Sequence, residues 1–85
     1  MAISTTEIAR LITASLADAS VDVQGADGKY QVQVVSSAFA GLNRVKRQQA
    51  VYRLLDEHIR SGTIHAVSML LKTPEESGSA VQTKG

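Results

Sequence analysis

Eighty-five residues, 44% of them hydrophobic, make one small domain, close to the size at which a single core only just suffices to fold a chain, and exclude a second domain. Nine lysines and arginines against eight carboxylates give a net charge of +1, so no overall field draws the chain to nucleic acid or anionic lipid and a basic site must come from local clustering. Cysteine is absent, which excludes disulfides, thiol nucleophiles and all-cysteine metal centres made by this chain alone.

In chain order, residues 1–10 lack the basic start and apolar stretch of a secretory signal, and no apolar run approaches the roughly 20 residues that span a bilayer. A soluble cytoplasmic protein with no membrane partner is expected. Thr5 or Thr6 caps a first helix whose Ile8, Leu11, Ile12 and Leu16 recur at helical spacing, with residues 18–20 ending it. Val21-Asp-Val-Gln and Tyr30-Gln-Val-Gln-Val alternate apolar with polar, and residues 25–28, Gly-Ala-Asp-Gly, supply the turn of a hairpin. Val21, Val23, Tyr30, Val32 and Val34 then share one buried face, while Asp22, Gln24, Gln31 and Gln33 point the other way.

In the connection that follows, Phe39, the only phenylalanine, anchors the loop to the core and Gly41 permits a tight turn. Asn43 caps the longest helix, which runs to Arg60 with Val51, Leu54, Leu55, His58 and Ile59 along one side, and Ser61-Gly62 stops it. A third strand is expected over 63–72, ended by Pro74. Reached through a helix, it lies parallel to the second strand by a right-handed crossover. The expectation is an α+β sandwich of αββαβ order, with a mixed three-stranded sheet, both helices on one face and at most a short helical turn after Pro74. Residues 1–76 form the single domain and 77–85 a disordered tail.

Lys46, Arg53 and Arg60 fall at seven-residue spacing on the side of the long helix opposite its apolar stripe, with Arg44 and Arg47 in the first turns. Such a face suits phosphates or an acidic protein surface, or is simply a solvated helix face without aromatic residues for base stacking. His58 reads as a structural histidine at the edge of the core. His65 heads the third strand, either as an accessible imidazole or as a hydrogen-bonded structural group. No triad, paired-carboxylate site, phosphate-binding glycine loop or calcium loop is present, so an enzyme is not expected.

Residues 39–52, Phe-Ala-Gly-Leu-Asn-Arg-Val-Lys-Arg-Gln-Gln-Ala-Val-Tyr, together with Ile64-His65-Ala66-Val67-Ser68 and Lys72-Thr73-Pro74-Glu75-Glu76, resemble the BolA-like proteins, and within them the YrbA/IbaG-type branch. The resemblance runs in order from Val21 to Glu76. It implies a relation to the type II KH fold, and with it two functional classes. One is pairing with a monothiol glutaredoxin through a shared [2Fe-2S] cluster in iron–sulfur trafficking or iron and stress regulation, with no cofactor bound by the chain alone. Glutaredoxin and glutathione then supply thiolates and His65 is the matching metal ligand. The other is a DNA-binding transcription regulator, using Arg44, Lys46, Arg47, Arg53 and Arg60 as nucleic-acid or partner contacts. A second cluster ligand, often offered by the first hairpin of relatives, aligns with Asp22, and Gln48 stands where many relatives have histidine. The chain is expected to be a monomer or weak homodimer.

Overall fold

A computed structural model of the chain describes residues 3–16 and 18–77. Its elements are α1 (Thr5–Thr13), β1 (Ser20–Ala26), β2 (Lys29–Val35), a 3-10 turn (Ser37–Phe39), α2 (Arg44–Arg60) and β3 (Ala66–Lys72). The sheet order is β1-β2-β3, with β1 antiparallel and β3 parallel to β2, which is the expected mixed sheet. One more helical turn covers residues 74–77, so residue 77, expected to open the tail, belongs to that turn, and the rest of the expected tail, 78–85, lies outside the described residues.

Each boundary has a local cause. Ser4, not Thr5 or Thr6, caps α1: its Oγ accepts the Glu7 N–H at 3.0 Å. Asp27 and Gly28, with φ of 56° and 83°, are the two residues between the paired Ala26 and Lys29. Positive φ at both central positions suits the right-handed twist of a tight hairpin. Asn43 Oδ1 accepts the Lys46 N–H at 2.9 Å, so the second cap is the expected one. After Ser61 the chain turns out of the helix at Gly62 (φ 84°), a conformation that glycine adopts without steric cost.

The core lies between the helices and one face of the sheet. Tyr30, Val32 and Val34 of β2 are buried against Ile8 and Ile12 of α1 and Val51 and Leu55 of α2, with Phe39 and Ile64 closing the two ends. Val21 and Val23 of β1 and Val67, Met69 and Leu71 of β3 flank that centre on the same face. Asp22, Gln24, Gln31 and Gln33 are exposed on the opposite face, which no helix among the described residues covers. The Tyr30 hydroxyl donates to the Ile3 carbonyl, so even the one phenol in the core is satisfied.

The third strand is shorter than expected. Thr63, Ile64 and His65 stand outside it because their backbone is used elsewhere: the Ile64 N–H reaches the His58 carbonyl at 3.0 Å, the end of α2, and the His65 N–H reaches the Gly28 carbonyl at 2.7 Å. His65 is therefore the last residue of the connection and not the first of the strand.

Candidate functional site

The hairpin turn and the entry to β3 meet at one carbonyl. Gly28 O accepts both the His65 N–H at 2.7 Å and the Ala66 N–H at 3.0 Å. The imidazole lies edge-on against the same glycine: a Cβ placed on Gly28 would come within 2.2 Å of His65 Cδ2. The turn thus requires glycine twice, for its positive φ and for the room taken by the ring. His65 itself is exposed, and neither ring nitrogen has a hydrogen-bond partner among the described residues. Among the described residues the fold thus supplies no hydrogen bond that would make this imidazole a structural group.

Beside the ring is a shallow depression of about 360 Å³, walled by Tyr52 and Ile59 of α2 and by Ile64, Ala66 and Val67. An exposed nitrogen ligand with an apolar flank is a surface that another molecule can cover while donating further ligands. Within the described residues no group of three or more His, Cys, Asp or Glu side chains is assembled. His65 is one donor and can complete a metal site but not hold one.

Asp22, aligned with the second ligand position, is far from this end. It pairs with Gln33, whose other neighbour is Leu70, four rungs along the sheet from the Ala26, Lys29 and Ala66 rung next to His65. The hairpin residues that share the His65 end are Ala26, Asp27, Gly28 and Lys29. The alternation of β1 could not reveal this, because the distance depends on the register of three strands.

Arg47 occupies a different place from the one its charge suggested. Its guanidinium turns inward, with the side chain 14% exposed. Nε donates to the Leu42 carbonyl at 2.9 Å, Nη1 to the Leu71 carbonyl at 3.1 Å, and both Nη atoms grip Glu76 at 2.7 and 3.0 Å. Beneath it lies the Phe39 ring, 5.9 Å from Cζ to centroid. Glu76 is fixed in turn by Thr73: the Thr73 N–H reaches Glu76 Oε1 at 3.0 Å and the Glu76 N–H reaches Thr73 Oγ1 at 3.2 Å, a reciprocal cap over residues 73–76. The Arg47 hydrogen bonds, then the Thr73 amide, hold the Glu76 carboxyl down at about 2, and the carboxylate raises Arg47 above its usual value. This clasp spends Arg47 inside the chain, so it leaves the set of outward contacts.

Of the remaining cations, Arg60 pairs with Asp56 at 3.0 Å on the exposed surface. Arg44, Lys46 and Arg53 are exposed and enter no ion pair among the described residues. They are not one patch: Lys46 and Arg53 lie a heptad apart, whereas Arg44 stands two residues before Lys46, on the other side of the helix. His58, half-buried at the end of α2, lends its carbonyl to Ile64 and to the Ser61 hydroxyl. No described helix is long and apolar enough to cross a membrane.

Residues 4–76 match the family described as BolA-like protein. The acid stress protein IbaG of Escherichia coli is 41% identical over 70 residues, covering 82% of this chain and 83% of that protein. A DNA-binding transcriptional regulator, BolA of Haemophilus influenzae, is 36% identical over 53 residues, 62% of this chain and 50% of that one. Among solved structures, the BolA domain of SufE1 from Arabidopsis thaliana superposes with a TM-score of 0.78 at 31% identity, covering 88% of this chain and 99% of that domain.

Proposed function

The chain belongs to the BolA-like protein family, and from that premise we propose that it works as a non-enzymatic adaptor, pairing with a monothiol glutaredoxin around a shared [2Fe-2S] cluster. The observation that carries this reading is His65: exposed, anchored through its backbone alone, and with both ring nitrogens uncommitted. Neutral imidazole is a good iron ligand, and a chain without cysteine fits a centre whose thiolates come from glutaredoxin and glutathione. Bound there, the cluster supplies electron-transfer and transferable iron–sulfur chemistry, in assembly or in iron and stress regulation. This chain's own part is to present one nitrogen donor at a fixed place and to offer the apolar flank formed by Tyr52 and Ile59 for the partner to cover. No residue of the chain is assigned a bond-making step, and the cytoplasm, with its reducing thiol pool, is the compartment proposed for it.

Mixing the purified protein with cluster-loaded monothiol glutaredoxin and recording visible absorption and circular dichroism tests the proposal. The wild type is expected to change the spectrum on forming a heteromeric complex, and His65→Ala to lose that change. Identical spectra with both proteins would remove His65 as the ligand.

A second reading, DNA binding, draws on the unpaired Arg44, Lys46 and Arg53. Counterion release makes the logarithm of affinity fall linearly with the logarithm of salt, by about 0.9 for each phosphate neutralised on duplex DNA. Alanine at Lys46 and Arg53 is expected to reduce that slope if α2 faces phosphates. A slope untouched by both changes excludes this helix as a DNA surface.

A further inference from the structure

We propose that the free edge of β3 is a docking strand for an extended segment of another protein in which acidic and apolar residues alternate. The site lies at the end of β3 opposite His65 and goes beyond the cluster reading.

The hydrogen bonds at the ends of β3 fix which backbone groups are available. The N–H and C=O of one strand residue point to the same side. Ala66 donates to Gly28 and Lys72 accepts from Ser36, so residues 66, 68, 70 and 72 face β2. The Leu71 carbonyl points the other way, where Arg47 meets it. Val67, Met69 and Leu71 therefore turn their N–H groups, and the first two their carbonyls as well, to an edge that no strand among the described residues occupies. A row of this kind is a template for strand addition. The usual protections are weak over 67–71, Val-Ser-Met-Leu-Leu, a stretch with no charge and no proline.

Side chains around the edge specify what would add to it. A groove of about 460 Å³ runs between the start of α2 and the end of β3, lined by the apolar Leu42, Met69, Leu70 and Leu71 and by the cationic Arg44 and Lys72. Leu70 is 47% exposed. The one carboxylate in the groove, Glu76, is bridged to Arg47 and also feels the charge of Lys72 at longer range, so one negative charge stands against the three positive charges of Arg44, Arg47 and Lys72. The groove is thus left with uncompensated positive charge beside an apolar floor, which complements a segment carrying Asp or Glu between apolar residues. No aromatic side chain lines it, so it lacks the stacking platform that single-stranded nucleic acid uses.

The test is an NMR titration of the isotope-labelled full chain with a short, end-capped peptide of alternating glutamate and valine. A lysine-for-glutamate version and a short oligothymidine serve as competitors in class. Expected are shifts and slowed solvent exchange at the Val67, Met69 and Leu71 amides with the acidic peptide only. Arg44→Glu and Lys72→Glu, checked for unchanged circular dichroism, are each expected to weaken binding about three- to tenfold. His65→Ala is expected to leave peptide binding unchanged, which separates this site from the cluster site. The proposal is overturned if these amides stay unperturbed at high peptide concentration, or if the lysine peptide binds equally well. It is equally overturned if oligothymidine or self-association of the chain produces the same pattern.

Discussion

At the start of β3, His65 and Ala66 are fixed by their own N–H groups, which share the Gly28 carbonyl, and the imidazole is left over. At its finish the roles are exchanged: Arg47 and Glu76 do the fastening with their side chains, while the backbone of Met69 and the Leu71 N–H are left over. A charged residue that looks like a contact in the sequence can be consumed by the fold, and a histidine that looks structural can be spare. What decides is whether the chain satisfies the residue through its side chain or through its backbone.

Phe39→Ala should break the finish most severely. It removes a fully buried ring and the floor under Arg47, and is expected to cost about 3–5 kcal/mol in urea unfolding, a large share of a small domain's stability. Gly28→Val strikes the start instead. A side chain at that positive φ costs about 1–2 kcal/mol, and its Cβ meets the His65 ring, so the His65 resonances should move while those of Arg47 stay in place. If both ends shifted together, they would be one unit and the contrast between them would fail.

Acid sharpens the comparison with a smaller effect. The Glu76 carboxyl titrates at about 2 in the folded chain against an ordinary 4.5. Its lowered value adds stability that is fully present above about 4.5 and is lost as pH falls towards 2. Glu76→Gln should therefore flatten the fall in melting temperature across that interval, leaving the chain above it with a weaker clasp. A variant whose acid limb matched the wild type would deny the clasp this role. The smallest effect is expected at His65→Ala, which keeps the N–H that binds Gly28 and removes only an exposed ring. Its stability should stay within about 0.5 kcal/mol of wild type in the same unfolding assay.

The sheet was legible because alternation assigns faces directly: Tyr30, Val32 and Val34 lie inside and Gln31 and Gln33 outside, as their period of two requires. The parallel placement of β3 followed from the intervening helix. Two caps were missed although their pattern is present, Ser4-x-x-Glu7 and Thr73-x-x-Glu76, each a hydroxyl three residues before a glutamate. Arg47 also carried a signal, since it lies four residues before Val51 and so beside the buried stripe and not opposite it. The start of β3 and the place of Asp22 were hidden for another reason. Both depend on which carbonyl a distant N–H finds, and no local pattern encodes that.

The carbonyl of Gly28 has a temporal consequence as well as a spatial one. It joins a hairpin made of near neighbours to residues that arrive only after the whole of α2, so the contact closes a long stretch of chain and bears the entropy of that closure. The place of the imidazole thus depends on a contact between residues far apart in the chain, and the unit that presents it is expected to open as one. In native-state hydrogen exchange the amides of His65 and Ala66 are expected to open together, with the free energy of separating turn from crossover.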